Sequence, residues 1–210
     1  MKMKRIILSV IVLSLLICAV SCGNSLEKTY PEDLQTEADL ECTVILVDAD
    51  WPYYNTARDV VSASSNVFSG KVTDISFEII DLVTGKEARD PETSDNTRML
   101  FTVYTVEVKE NYKGEAAQTV KIARIGGLKK YNMNEQRILM ELSGLMETTA
   151  NSIPVCGTDA ASPAIGNEYL FCTSKQSGDF EYVINPSQFA HATDSSNAKA
   201  IIKACGNAAK

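Results

Sequence analysis

Histidine is almost missing from this chain: His191 is the only one. General acid–base chemistry draws on histidine more than on any other side chain, and a catalytic nucleophile usually needs such a base beside it. No G-x-S-x-G nucleophile turn occurs either. Asp194 follows His191 by three residues, close enough to orient it, but a lone histidine after a Pro-containing strand end reads as a surface residue. No catalytic residue is therefore assigned. No two cysteines are spaced as C-x-x-C, which argues against a four-cysteine zinc site. Asp48 and Asp50 flank Ala49, and Asp90, Glu92 and Asp95 share one polar stretch. Neither set continues into the serial oxygen ligands of a calcium loop, so no metal and no cofactor is expected. Arg124-Ile125-Gly126-Gly127 lacks the Lys-Ser/Thr and helix that complete a phosphate loop, and it reads as a turn that ends a strand. Basic side chains are scarce as well, 20 against 27 acidic ones. That balance speaks against nucleic acid, whose phosphates require clustered Lys and Arg. Internal repeats are absent. The longest apolar run, Ile6 to Val20, is broken by Ser9 and Ser14 and falls short of the ~20 residues that span a bilayer.

What is present begins at the N-terminus. Lys2, Lys4 and Arg5 precede the apolar run, and Ala19-Val20-Ser21-Cys22 follows it, in the order of a secretory signal. Residues 19–22 resemble the lipobox of bacterial lipoproteins. The resemblance implies cleavage before Cys22, acylation of that cysteine (palmitate among its chains), and anchorage on the outer side of a cell membrane or outer membrane. Cys18 is a poorer anchor because bulky Leu16 and Ile17 precede it; an ordinary signal peptide is the alternative. Each buried methylene contributes about 0.8 kcal/mol, so two or more chains hold a protein stably. Removal of residues 1–21 takes three basic side chains and no acidic one, moving the formal charge from −7 to −10. Residues 22–40 are polar and acidic and form a tether with a root-mean-square reach of roughly 25 Å if flexible. Residues 41–210 suit one domain with its own core.

Cys42, Cys156, Cys172 and Cys205 remain, an even number in a chain expected outside the cytoplasm, where disulfides persist. Four cysteines allow three pairings, and four separate buried thiols are the alternative.

The domain reads as mainly β with flanking helices. Thr43–Val47 is an extra strand. Asn55 or Thr56 caps a short helix with Ala57, Val60, Val61 and Ser64 on one face. From Val67 to Ile80 the apolar positions are first even and then odd, which demands an extra residue or a bend; Gly70 is the expected place. Residues 81–97 form a loop. Met99–Tyr112 and Gln118–Ile125 are the second and third strands, and 134–147 turns to helical period with Ile138, Leu139, Leu142, Leu145 and Met146 inward. Two short strands, 168–174 and 180–185, join across Gly178-Asp179. A helix from about Ser195 to Cys205 ends at Gly206. Five strands, the first bent, with a helix between the third and fourth and another at the C-terminus, give an OB-type partly open barrel; a split sheet sandwich is the alternative.

Val67-Phe68-Ser69-Gly70-Lys71-Val72, Tyr104-Thr105-Val106-Glu107-Val108 leading to Tyr112-Lys113-Gly114, Pro154-Val155-Cys156-Gly157 and Gly166-Asn167-Glu168-Tyr169-Leu170 are similar to the netrin-like module of tissue inhibitors of metalloproteinases, across roughly residues 57–205. The resemblance implies a disulfide from Cys156 to the N-terminal segment, hence Cys42–Cys156 first, then Cys172–Cys205, with Cys156–Cys172 in competition. It also implies inhibitor-like binding. The inhibitors' Cys-x-Cys start is replaced here by Cys22-Gly23-Asn24, so zinc chelation by a free N-terminal cysteine does not carry over.

The function that follows is a membrane-anchored, non-enzymatic binding module for an extracytoplasmic protein, peptide or glycan. Trp51, Tyr53 and Tyr54 are its expected contacts, since aromatic side chains anchor interfaces; packing over the barrel is their alternative role. An envelope hydrolase using carboxylates, or an accessory subunit of an envelope complex, is the alternative function.

Overall fold

A computed structural model describes residues 43–47, 50–90, 97–145, 152–156, 162–176 and 178–208, all within one compact unit, Gln35–Lys210. The signal, Cys22 and the tether lie outside the described residues. The strands are β1 (Thr43–Val47), β2 (Asn66–Asp81), β3 (Lys86–Glu87), β4 (Arg98–Lys113), β5 (Thr119–Ile125), β6 (Ser152–Cys156), β7 (Glu168–Lys175), β8 (Glu181–Val183) and β9 (Ala190–Ala192). The helices are α1 (Ala57–Ala63), α2 (Met133–Leu142) and α3 (Ser196–Ala208).

The chain is mainly β, with helices on its flanks. Seven strands make one sheet in the order β3-β2-β4-β5-β8-β7-β9, and β2 pairs with β7 as well as with β4. The hydrogen-bonded circuit β2, β4, β5, β8, β7 therefore returns to β2. All its pairings are antiparallel except β5 with β8. β2 closes the circuit by being long: its first half, Asn66–Lys71, lies against β7, while its whole length runs along β4. Such double duty needs a bent strand. The register slips between Val67 and Phe68, between Ser69 and Gly70, and between Val72 and Asp74, where Thr73 is the extra residue. The switch of face falls at this third slip and not at Gly70, because Val72 and Ile75 are both buried in the core. Gly70 serves the packing of the two strands instead. A Cβ there would meet Val106 Cγ1 at 2.5 Å and the Glu107 carbonyl oxygen at 2.7 Å, so only glycine lets β4 approach this closely.

Three elements went unread in the sequence. β6 pairs in parallel with β1 as a separate two-stranded sheet, and β9 adds three residues to the edge of β7. The expected loop after β2 contains β3.

The main core joins Phe68, Val72, Phe77, Ile79, Leu100, Tyr104, Ile122, Phe171 and Phe189 with Met133 and Met140 from α2. Phe171 stands 5.7 Å from Phe68 and 6.4 Å from Phe189 between ring centroids, in tilted contacts worth ~0.5–1.5 kcal/mol each beyond area burial. α2 keeps part of the expected face, with Leu139 and Leu145 packed against the core, and corrects the rest. Met133, Gln136 and Met140 are buried, whereas Ile138 and Leu142 are 40% and 74% exposed. A second cluster packs α1 and α3 on the outside of β2 and β7 through Val60, Val61, Val67, Leu170, Cys172, Ala198, Ile201 and Cys205. α1 starts with a reciprocal capping box, Thr56 accepting from the Asp59 N–H and Asp59 from the Thr56 N–H. α3 runs through Gly206, which has open space around it and does not stop the helix.

Candidate functional site

The aromatic segment before α1 is held in place by a turn between β8 and β9. In that turn Asn185 Oδ1 accepts from the N–H and hydroxyl of Ser187 at 2.7 and 2.6 Å, and the Asn185 carbonyl accepts from the Gln188 N–H at 3.0 Å. Asn and Ser supply such turns because their short side chains substitute for backbone partners. The turn aims two amides at the segment. Asn185 Nδ2 donates to the Pro52 carbonyl at 2.9 Å, while Gln188 pairs with Tyr54 twice, accepting its N–H at 2.9 Å and donating to its carbonyl at 2.8 Å. A side-chain amide here completes the bonds that a neighbouring strand would otherwise make.

The result is a groove of about 180 Å3 between the segment, α1, β9 and α3. Tyr53, Tyr54, Asn55, Thr56, Gln188, His191 and Asn197 supply its polar atoms, and no charged side chain is in its lining. Tyr53 is 69% exposed; Tyr54 is half-buried against the cluster beneath α1 and α3. Trp51 is half-buried outside this lining, and its indole Nε1 is buried with no hydrogen-bond partner among the described residues. Of the three expected aromatics the groove thus takes two.

His191 belongs to the same groove, which the sequence did not foretell. Its Nε2 lies 3.0 Å from the Gln188 carbonyl, so that nitrogen carries the proton in the neutral ring. Burial holds its pKa below the ordinary 6.5, partly offset by that carbonyl. Asp194 is exposed, and among the described residues no hydrogen bond joins it to His191. A base oriented by a carboxylate is therefore not what this histidine provides.

Other acidic sites resolve similarly. Asp50 is exposed, and Asp48, Glu92 and Asp95 lie outside the described residues. Asp90 offers its backbone carbonyl to Arg98 at 2.8 Å. Among the described residues no three His, Cys, Asp or Glu side chains cluster as a metal site. A buried carboxylate facing a cavity is Glu181 on β8, with Glu115, Asp179, Lys121 and Lys175 on the same rim. Asn66 Nδ2 donates to one of its oxygens at 2.7 Å and the Thr173 hydroxyl to the other, so both are engaged in holding β2 and β7 to β8. Gly126 and Gly127 are used in pairing and packing. The Gly126 N–H bonds to Leu100 across the sheet, and a Cβ on Gly127 would sit 1.8 Å from Gln136 Oε1.

The cysteines are only partly visible. Cys172 and Cys205 stand as free thiols in one buried cluster, and burial, with Cys205 nearby, pushes the Cys172 thiol up to about 12. Cys42 and the Cys156 side chain lie outside the described residues. The expected Cys42–Cys156 pairing and its competitor Cys156–Cys172 therefore rest on atoms outside the described residues; the β1–β6 register sets Cys156 opposite Val47 and Thr43 opposite Ser152.

No helix among the described residues is long and apolar enough to cross a membrane. Neither a protein-family model nor a curated protein matches the chain.

Proposed function

We propose that this chain is an exported lipoprotein, anchored through acylated Cys22, whose OB-type barrel binds an uncharged glycan in the groove beside Tyr53. The barrel reading is supported by the circuit of β2, β4, β5, β8 and β7, with α2 following the third of its strands in sequence. Its likeness to the netrin-like module rests on the short motifs alone.

The observation that carries the binding function is the clamped segment. Asn185 and Gln188 fix the backbone of residues 52–54 so that Tyr53 stands exposed over a groove lined by amides, a neutral imidazole and no charge. A preorganised aromatic face lowers the ordering cost of binding, and amides both donate to and accept from sugar hydroxyls. An ionic ligand would find no counter-charge there. The same reading takes Cys172 and Cys205 as partners for a disulfide after export, closing a loop of some 30 residues.

Titration of the full chain against a panel of neutral oligosaccharides tests the assignment. Tyr53→Ala should weaken capture about tenfold or more, the range of an interface anchor, with little change in melting temperature. The affinity should be flat above pH 6.5 and decline only below it, because protonation of His191 adds a charge to a buried neutral groove. Equal capture by Tyr53→Ala removes the groove from the function. Hydrolysis of a glycan that disappears in His191→Ala overturns the non-enzymatic reading.

A further inference from the structure

A second cavity, of about 430 Å3, lies between the β5–α2 connection and the segment leading to β7. Its apolar wall is Ile75, Leu128, Pro163, Ala164 and Ile165, with Tyr131 beside them. Three cations, Arg124, Lys129 and Lys130, complete the lining, and no carboxylate does. This is unexpected in a chain of net negative charge, where a random patch of surface is more acidic than basic. Arg124 is only 3% exposed and donates from Nη1 to the Ser162 hydroxyl at 2.9 Å, which fixes it to the opposite wall.

The lysines are placed by a rigid turn. Lys130 and Asn132 both adopt the left-handed backbone region, at φ 61° and 45°, which non-glycine residues occupy only when their surroundings hold them there. What holds them is Gln136, buried at the start of α2, which accepts from the Leu128 N–H and donates to the carbonyls of Leu128 and Tyr131. Lys129 and Lys130 are exposed, and neither forms an ion pair or hydrogen bond among the described residues.

We propose that this cavity binds a small anionic amphiphile. Its carboxylate or phosphate head meets Lys129 and Lys130, and its apolar body lies against Ile75, Leu128, Pro163 and Ile165. The volume falls within the ~300–1,000 Å3 of small-molecule sites, which combine an apolar wall with a few convergent polar groups in this way. Both parts of the ligand are specified, because an ion alone leaves the apolar wall wet and an alcohol leaves the cations unmatched. The proposal is independent of the glycan groove, with which it shares no residue.

The test is calorimetric titration of the full chain in lipid nanodiscs, with empty nanodiscs subtracted, using octanoate, octyl phosphate, octanol and acetate as probes. Octanoate and octyl phosphate should bind once per chain, and octanol and acetate at least tenfold more weakly. Replacing Lys129→Ala and Lys130→Asn together, the asparagine chosen because it tolerates the left-handed backbone, should weaken octanoate by about tenfold. Ile165→Glu, at an exposed position on the rim, should do the same by adding a like charge. Absence of octanoate binding overturns the proposal. So does octanol or acetate binding as tightly as octanoate, or an unchanged octanoate affinity in both variants.

Discussion

Gln136 carries more of the structure than its type suggests. It is completely buried at the start of α2, and its carboxamide makes three hydrogen bonds to the backbone of residues 128–131, at 2.5 to 3.1 Å. A buried backbone group left without a partner costs about 1–3 kcal/mol. Gln136→Ala should therefore lower the unfolding free energy by about 3 kcal/mol, measured by urea denaturation of the protein. A loss below about 1 kcal/mol would show that something other than the carboxamide holds the turn. Apolar periodicity could not find this residue, since a glutamine scores as exposed in any such pattern. The close approach of Gly127 is the one local trace of it, and a glycine at a strand end has commoner explanations. At the groove the same limit applies: Tyr53 and Tyr54 were visible as aromatics, but Gln188 and Asn185, some 130 residues away, gave no sign that they clamp them.

Among the elements, the turn after β2 makes a testable electrostatic claim. Asp81 ends the strand and accepts from the Thr97 hydroxyl at 2.6 Å, from the N–H groups of Thr84 and Val83 at 2.7 and 2.9 Å, and from the Thr84 hydroxyl. The Thr97 hydroxyl, followed by the Thr84 amide, lowers its pKa below the ordinary 3.8. A folded-state value below the unfolded one means a contribution complete above pH 3.8 and lost as pH falls through the lower, folded value. Amide exchange at Val83 and Thr84 should accordingly stay slow at pH 5 and accelerate below pH 3.8. In Asp81→Asn, which removes the titrating group, it should show no such acid step. An acid step of equal size in the variant would assign the effect to another group.

Element order was legible because it depends on local period: long strands, a capped short helix and a hairpin with Gly178-Asp179 all stand where their patterns put them. The inward side of α2 was legible only in part, at Leu139 and Leu145. Ile138 and Leu142 supplied the hydrophobic stripe, yet the helix turns Met133 and Met140 to the core, because Gln136 between them must reach the β5–α2 turn. Position 73 likewise carried the change of face that the pattern placed at Gly70, although the register slips there too: periodicity reveals that a face changes but not which peptide absorbs the extra residue.

For the molecule as a whole, the expected consequence of the N-terminal sequence is a fixed cellular address. Cys22→Ala should leave the protein unprocessed or release it into the medium, as fractionation and immunoblotting of whole cells will show; processing and membrane fractionation identical to the parent chain would sink the anchor assignment. This expectation needs no fold, since signal and acylation motifs are read as extended chain by enzymes. The sequence by itself determined the class of the domain, mainly β with helices at its flanks, because alternation and helical period are properties of neighbouring residues. Only the tertiary structure decided that β2 pairs on both sides to close a circuit, that β6 lies parallel to β1 with Cys156 opposite Val47, and that Tyr53 and His191 line one groove. Those are meetings between distant residues, and their partners are chosen by the burial and hydrogen bonding of the whole chain, a quantity that no local pattern contains.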